Sequence, residues 1–425
     1  MFVFNEISYD RRVLKEADAL QAAGWSVTIH GIRQRRSKAS VRENRASGVV
    51  IIRHPQTVFP ATPPAWNPAW RLAFKALFAF QFIFTALPAL AGIRVARQVR
   101  SAFALWAWAV NASHATTQTG ILHAHDLSGG LPALLASDAS GASIVYDSHE
   151  VFLESGRWAK SPGFIRRALA THFEQPVLRR AAALIAVNPQ VIEELAKRYE
   201  IPERQVVVYN CPPAWNPGPP GTELRAAIGV DAAAQVVLYH GGFSAHRGLE
   251  ELLEAKRDPR LANAHLVFLG YGPLELTLRA AATDPAYGGR VHVLEAVSPE
   301  VLDRWVSGAD VGMCTVLPST LNHRISTPNK LFESIGAGVP VIASDFPTMR
   351  NIVLGDPDGP LGAVCDPTNA RDVATAIHSI LSMSPGDRAA LRARCIRAAA
   401  ARWNWEAQAA RLTELYRSLP PTTSA

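Results

Sequence analysis

Arg247, Lys330, Glu333 and His149 have side chains and settings suited to holding a charged small molecule. Lys330 and Glu333 stand three apart in Ser326–Ser344, STPNKLFESIGAGVPVIAS. On a helix that spacing puts ammonium and carboxylate on one side, opposite Leu331, Phe332 and Ile335, which face inward. An ammonium there meets phosphate, and a carboxylate accepts paired hydrogen bonds from the adjacent hydroxyls of a ribose. Taken alone, the same pair describes a solvated ion pair on a helix surface. Arg247 opens a helix in Tyr239–Glu250, YHGGFSAHRGLE, behind Gly241 and Gly242. Its guanidinium can grip phosphate oxygens at two points. A second glycine turn, LGYGP at Leu269–Pro273, sets Gly270 and Gly272 between a strand and a helix. Such turns bring backbone close to a phosphate, whose charge is favoured at a helix N-terminus. With Thr327 before the Lys330 helix, three such turns imply a nucleotide diphosphate site in the second half of the chain.

The elements that position these groups are legible as a strand–helix alternation. In the first half, Met1–Phe4, Trp25–Ile29, Val49–Arg53, Ile121–His125, Ser143–Asp147, Leu184–Val187 and Val206–Tyr209 are expected strands, with helices at Arg11–Ala23 and Pro189–Arg198. CPPAWNPGPPGTE (Cys211–Glu223) is rich in proline and glycine and marks a linker. After it, strands are expected at Gln235–His240, His265–Gly270, Val291–Leu294, Val311–Thr315, Val339–Ala343 and Gly362–Val364. The helix bearing Lys330 is expected to be capped by Ser326 or Thr327, with Pro328 in its first position. The fold class is therefore α/β, two doubly wound Rossmann-like domains with a cleft between them. The boundaries expected are 1–212, a linker at 213–223, 224–402, and a C-terminal helix and tail at 403–425 that packs back on the first domain.

At 425 residues, with 48% hydrophobic and 19% charged residues, the chain is long enough for two cored domains and too apolar to be disordered. A net charge of +7 and a pI near 9.4 point to anionic partners. Nucleic acid is not expected among them, because no strand interleaves aromatic and basic residues. Cys211, Cys314, Cys365 and Cys395 have no close spacing, so neither a zinc site nor a disulfide framework is expected, and a cytoplasmic setting fits. MFVFNEISYD carries no basic leader before a long apolar core. Met1–Phe4 is short for a central strand, which leaves room for residues upstream.

Trp66–Val110 fits the alternation poorly. Ala76–Ile93 is uncharged for 18 residues, at the lower edge for a membrane span. Gln81, Thr85 and Pro88 weaken a span, which would also split one sheet across a bilayer. The alternatives are a buried helix, or an interfacial element with Trp66, Trp70, Trp106 and Trp108 at headgroup level. Arg33, Arg35, Arg36, Lys38, Arg42, Arg45 and Arg53, against Glu43 alone, form a basic loop suited to anionic lipid on the inner face of the membrane. HAHD (His123–Asp126) offers metal-ligand types, but two alternate histidines at a strand end complete no site. DPDG (Asp356–Gly359) is read as a turn.

The second half resembles family four of the retaining glycosyltransferases, which have the GT-B fold. YHGGFSAHRGLEELLEA, LVFLGYGP, SGADVGM and TPNKLFESIGAGVPVIAS carry the resemblance, with SYDRRVLKEADAL, ILHAHD and YDSHE in the first half. It implies sugar transfer from a nucleotide-sugar donor to a glycan or lipid-linked acceptor, with no cofactor and no required metal. By position it makes Arg247 a diphosphate ligand, Glu333 the ribose ligand, and His149 a histidine near the donor sugar. The chain departs from the family at three places. Ile325 replaces a second glutamate eight residues before Glu333, Gly242 replaces an arginine, and the Asn5–Tyr9 loop lacks a glycine pair. Lys330, in the Pro-x-Lys-x-x-Glu form of one branch, supplies part of the missing charge. Two rival functions share the fold: a nucleotide-sugar epimerase, and an inactive subunit that recruits a partner.

Overall fold

The computed structural model describes residues 1–8, 10–34, 37–55, 94–116, 120–155, 159, 163, 167, 170–215 and 218–419. Its first sheet holds β1 (Thr28–Arg33), β2 (Arg42–Asn44), β3 (Val50–Pro55), β4 (Ile121–His125), β5 (Ser143–Ser148), β6 (Ala181–Ala186) and β7 (Gln205–Val207). The strands lie in two runs, β1-β3-β2 and β4-β5-β6-β7. Phe2 joins them, bridging His30 of β1 and Ala124 of β4 in parallel. The opening residues thus lie at the sheet centre, as the alternation requires, though only Phe2 forms bridges. Every pairing is parallel except β2 on β3. β2 is an addition to the expected set, formed inside the basic loop.

That loop is less free than its composition implies. The Arg53 side chain is only 2% exposed and meets Glu43 at 2.7 Å, while Arg45 pairs with Asp18 at 2.9 Å. Arg33 Nε donates to Ala39 O at 2.8 Å. Arg35 and Arg36, like Trp66 and Trp70, lie outside the described residues. Trp108 corrects the interfacial reading directly. It is 1% exposed, and its indole N–H donates to Gly31 O at 3.0 Å, so it belongs to the core. Among the described residues, no helix is long and apolar enough to cross a membrane.

The second sheet holds β8 (Val236–Gly242), β9 (His265–Tyr271), β10 (Val291–Leu294), β11 (Val311–Cys314), β12 (Val341–Ser344) and β13 (Gly362–Cys365). All pairs are parallel, in the order β10-β9-β8-β11-β12-β13. Consecutive strands lead outward from β8 on one side and from β11 on the other. The crevice at such a reversal, beyond the strands' carboxyl ends, is where open α/β sheets bind ligands. β8, VVLYHGG, is buried from Val236 to His240 and emerges at Gly241 and Gly242. Covered on both faces, it needs no polar alternation.

The Trp405–Ser418 helix crosses back to the first sheet. Asn404 caps it through Ala407 N. Leu412, Leu415 and Tyr416 then pack with Val13, Ala17, Leu20 and Ile29. Asp356–Gly359 is a turn, with Gly359 N donating to Asp356 O at 2.9 Å, and Arg402 pairs with the Asp356 carboxylate.

Candidate functional site

Between the two sheets lies a cleft of ≈ 1280 Å³. Its walls include His149 from the first sheet and Gly241, Gly242, Arg247, Gly270, Thr327, Lys330 and Glu333 from the second. One predicted ligand is not among the lining residues. Gly272 serves the turn itself, where an added Cβ would strike the Phe243 backbone. Gly270 has a similar structural duty, since a Cβ there would strike Gly241 O. Gly241 has φ 116°, a conformation that favours glycine.

The Asn329–Gly336 helix presents its polar side to this cleft. Its start differs from expectation: Pro328 is itself the cap position and no side chain caps the helix. The Ser326 hydroxyl instead donates to His323 O at 3.0 Å. Leu331, Phe332 and Ile335 are fully buried, as their spacing predicts. Glu333 Oε2 accepts from His240 Nε2 at 3.0 Å, which leaves Oε1 for a ligand. Burial pushes the Glu333 carboxyl up, but the His240 hydrogen bond and charge and Lys330 outweigh it, so it lies below its ordinary range. His240 was not singled out in the sequence, although its place one residue before the glycine pair was visible.

Lys330 Nζ sits 3.3 Å from the centre of the Tyr239 ring, a cation–π contact. Burial pushes its ammonium down to about 7; Arg247 adds to the fall, while Cys314 and Glu333 oppose it. Arg247 is half-buried in the loop before the Leu249–Ala255 helix. That loop is tightly wound, with His246 at φ 66° and Gly248 at φ 74°. A Cβ on Gly248 would strike Thr315 O.

Across the cleft, His149 follows β5. Its backbone N–H donates to Asp126 Oδ1 at 2.8 Å, its Nδ1 lies 3.4 Å from Asp126 Oδ2, and its Nε2 lies 3.1 Å from Asp147 Oδ2. His125 Nδ1 is 3.2 Å from the same Nε2. Burial disfavours the imidazolium, yet the charges of Asp126 and Asp147 outweigh burial and raise the His149 pKa to about 9. The group is therefore cationic at neutral pH. Its contribution to stability is fully present below about 6.5, the ordinary histidine value, and is lost as pH rises through about 9. A proton titration of the His149 ring by NMR should show a midpoint near 9 that falls by at least one unit in Asp126→Asn. A midpoint near 6.5 in both proteins would remove the charge assignment.

Beneath His149 lies a buried network that sequence spacing does not reveal. Glu16, His123, His125 and Asp147 bring ligand-type atoms within 4.8 Å of one another. The fold thus gives the HAHD histidines the further groups their own motif lacks. It also gives them Arg12, whose guanidinium lies 3.0 Å from Glu16 and 2.9 Å from Asp147. Burial pushes the Glu16 carboxyl up, against the opposing charge of Arg12. Asp147 resists burial because Arg12 and His149 hold it well below the usual carboxylate range. Arg12 sets a guanidinium cation against both carboxyl groups of this cluster.

A short helix at Leu321–Ile325, absent from the expected elements, closes the cleft floor. Ile325 is 8% exposed and packs into the first sheet's core beside Leu122 and Tyr146. Its carbonyl accepts from Asn188 Nδ2 at 2.7 Å. Asn322 Oδ1 accepts from Val151 N at 3.0 Å, and its Nδ2 donates to Val151 O at 3.1 Å.

Comparison with known proteins places both halves of the chain. The description "Glycosyl transferases group 1" matches residues 234–383, and "Glycosyl transferase 4-like domain" matches residues 9–211. Among curated relatives, a D-inositol 3-phosphate glycosyltransferase of Thermobispora bispora is 27% identical over 311 residues, 70% of each chain. An alpha-D-kanosaminyltransferase of Streptomyces kanamyceticus is 23% identical over 258 residues, 59% of this chain and 64% of that one. Among solved structures, sucrose-phosphate synthase from Thermosynechococcus elongatus superposes with a TM-score of 0.69 at 21% identity, covering 96% of this chain and 92% of that one. The Anabaena protein HepE in complex with UDP also gives 0.69, at 13% identity, covering 98% and 99%. These likenesses fix the architecture as GT-B.

Proposed function

We propose, from the premise that the chain belongs to the group 1 glycosyl transferases, that it moves a sugar from a nucleotide-sugar donor to a hydroxyl acceptor, with retention at the anomeric carbon. One observation carries the reading. Lys330, Glu333 and the Gly241 turn line the second-sheet side of one cleft, and a cationic His149 lines the other. HepE, a structural neighbour, is described in complex with UDP-glucose, which supports a nucleotide-sugar donor.

The donor diphosphate lies against Gly241 and Gly242, where Arg247 and Lys330 meet its oxygens. The ribose hydroxyls donate to Glu333, whose orientation His240 holds. The sugar then points toward His149, whose positive charge faces the β-phosphate. Of its two ring nitrogens Nδ1 is the more loosely held, so a hydrogen bond to ligand comes from there. The acceptor hydroxyl attacks from the face that the diphosphate leaves, and a phosphate oxygen takes its proton. Arg247, Lys330 and His149 stabilise the charge growing on the leaving group. No metal is required, and no pair of carboxylates for double displacement is invoked. The acceptor is a glycan or lipid-linked alcohol of envelope synthesis, reached from the cytoplasmic side of the membrane.

A thermal-shift panel of nucleotide sugars, run with chelator present, tests this. The matching donor at 100 times its Kd should stabilise the chain by about 2.7 kcal/mol. Product NMR should then show the donor's anomeric configuration preserved. Interconversion of sugars without acceptor would replace transfer by epimerisation, and the absence of any shift would remove the enzyme.

A further inference from the structure

We infer that Glu150 is a donor-sugar contact, whose carboxylate accepts hydrogen bonds from hydroxyls of the transferred sugar and makes the cleft select an uncharged sugar over a uronate. This rests on the donor reading above and adds to it the class of sugar.

Glu150 lines the cleft beside His149. It stands where the 149–151 segment after β5 touches the Leu321–Ile325 helix. Gly241, His149, Glu150 and Asn322 line the same cleft, so a sugar extending from a diphosphate on the Gly241 turn toward His149 shares it with this carboxylate. Asn322 Nδ2 donates to Glu150 Oε2 at 3.2 Å. The amide doing so is itself fixed by its two bonds to the Val151 backbone. The Ser155 hydroxyl also lies near this carboxylate. An ionised carboxylate offers about four acceptor sites, so lone pairs remain for sugar hydroxyls.

The other carboxylates among the described lining residues have duties of their own. Glu333 holds His240 with one oxygen and is assigned to the ribose with the other, and Glu6 accepts from Gln34 N at 3.0 Å. Asp10 caps the Arg11–Ala22 helix through Val13 N and accepts from Asn5 Nδ2 at 2.7 Å. Among the described residues, the charges facing Glu150 are Asp126 and His149, with Arg12 and Asp147 behind them. Burial and Asp126 raise its pKa, as befits a group waiting for donors. A uronate at the same place would set a second carboxylate directly against Glu150, a like-charge contact that the neighbouring His149 cation, already shared between Asp126 and Asp147, only partly offsets.

Glu150→Gln keeps the shape of the side chain and removes its charge. The probes are whichever of UDP, ADP and GDP stabilises the wild-type chain, its glucose nucleotide and its glucuronate nucleotide, each titrated by calorimetry. The wild type should bind the glucose form at least tenfold tighter than the glucuronate form. E150Q should bind the nucleoside diphosphate within twofold of wild type, bind the glucose nucleotide about tenfold more weakly, and narrow the discrimination against glucuronate. Equal losses for nucleoside diphosphate and glucose nucleotide, or no loss for either, would overturn the assignment. If E150Q fails to fold, Asn322→Ser, which loosens the same carboxylate, should show the same sugar-only loss, and an unchanged glucose affinity there would overturn it. A wild type that binds no nucleoside diphosphate would instead sink the donor reading, and this inference with it.

Discussion

Lys330→Ala is expected to lower kcat for sugar transfer by roughly 10²–10³-fold, about the loss seen when one preorganised transition-state donor is removed. The size follows from its setting. The ammonium is held 3.3 Å above Tyr239, beside a glycine turn whose lack of side chains admits a phosphate. Burial leaves it with a pKa of about 7 in the free protein, so about half the molecules lack that proton at neutrality. A diphosphate restores the reason to be charged. Above pH 7, therefore, nucleotide binding should take up a proton, approaching one per site near pH 8.5. Calorimetry in two buffers of different ionisation enthalpy measures that uptake directly. Undiminished uptake in the alanine variant, or a kcat within threefold of wild type, would remove Lys330 from the leaving-group site.

Arg12→Leu is expected to cost roughly 3–5 kcal/mol of stability, the usual penalty for stranding a buried charge. Arg12 touches Asp147, Glu16 and the Val208 carbonyl, and Asp147 is fully buried. Without the guanidinium, Asp147 keeps its contacts to His123, His125 and His149 but loses its permanently charged partner. The sign of the pH dependence is set by Asp147, whose folded pKa is depressed. The stability that Arg12 brings is present above about 3.9, the ordinary aspartate value, and is lost as pH falls through the folded value. The gap between wild type and variant in denaturant midpoint should accordingly be widest near pH 7 and shrink in acid. A gap under about 1 kcal/mol at pH 7 would mean the network is worth no more than a surface pair.

Much of the fold was legible because buried parallel strands leave long apolar runs between punctuation. Ile121–His125 and Val291–Leu294 have the expected bounds, and others shift by one to four residues at their ends. What escaped had no such signal. The Leu321–Ile325 helix is one turn long, too short for periodicity to register. β2 is a three-residue edge whose polar residues read as loop. Pairings such as Arg12 with Asp147 span 135 positions and depend on which strand neighbours which helix. For Trp108 composition left a buried and an interfacial setting open, and only the tertiary neighbour Gly31 decides where an indole N–H goes. Lys330 and Glu333 were legible because their partners share one helix and one adjoining strand. His149 was placed by strand-end position, while its charge comes from carboxylates on two separate segments, Asp126 and Asp147.

The path of the final helix has a consequence for how the polypeptide can be divided. Residues after 404 furnish one wall of the amino-terminal core, with the Tyr416 hydroxyl 2.6 Å from His123 Nδ1. A fragment ending near the linker would lack that wall and expose Val13, Leu20 and Ile29 to solvent, inviting aggregation. The amino-terminal core is thus closed by side chains from beyond the second sheet, and its interior is sealed only once the Trp405–Ser418 helix is in place.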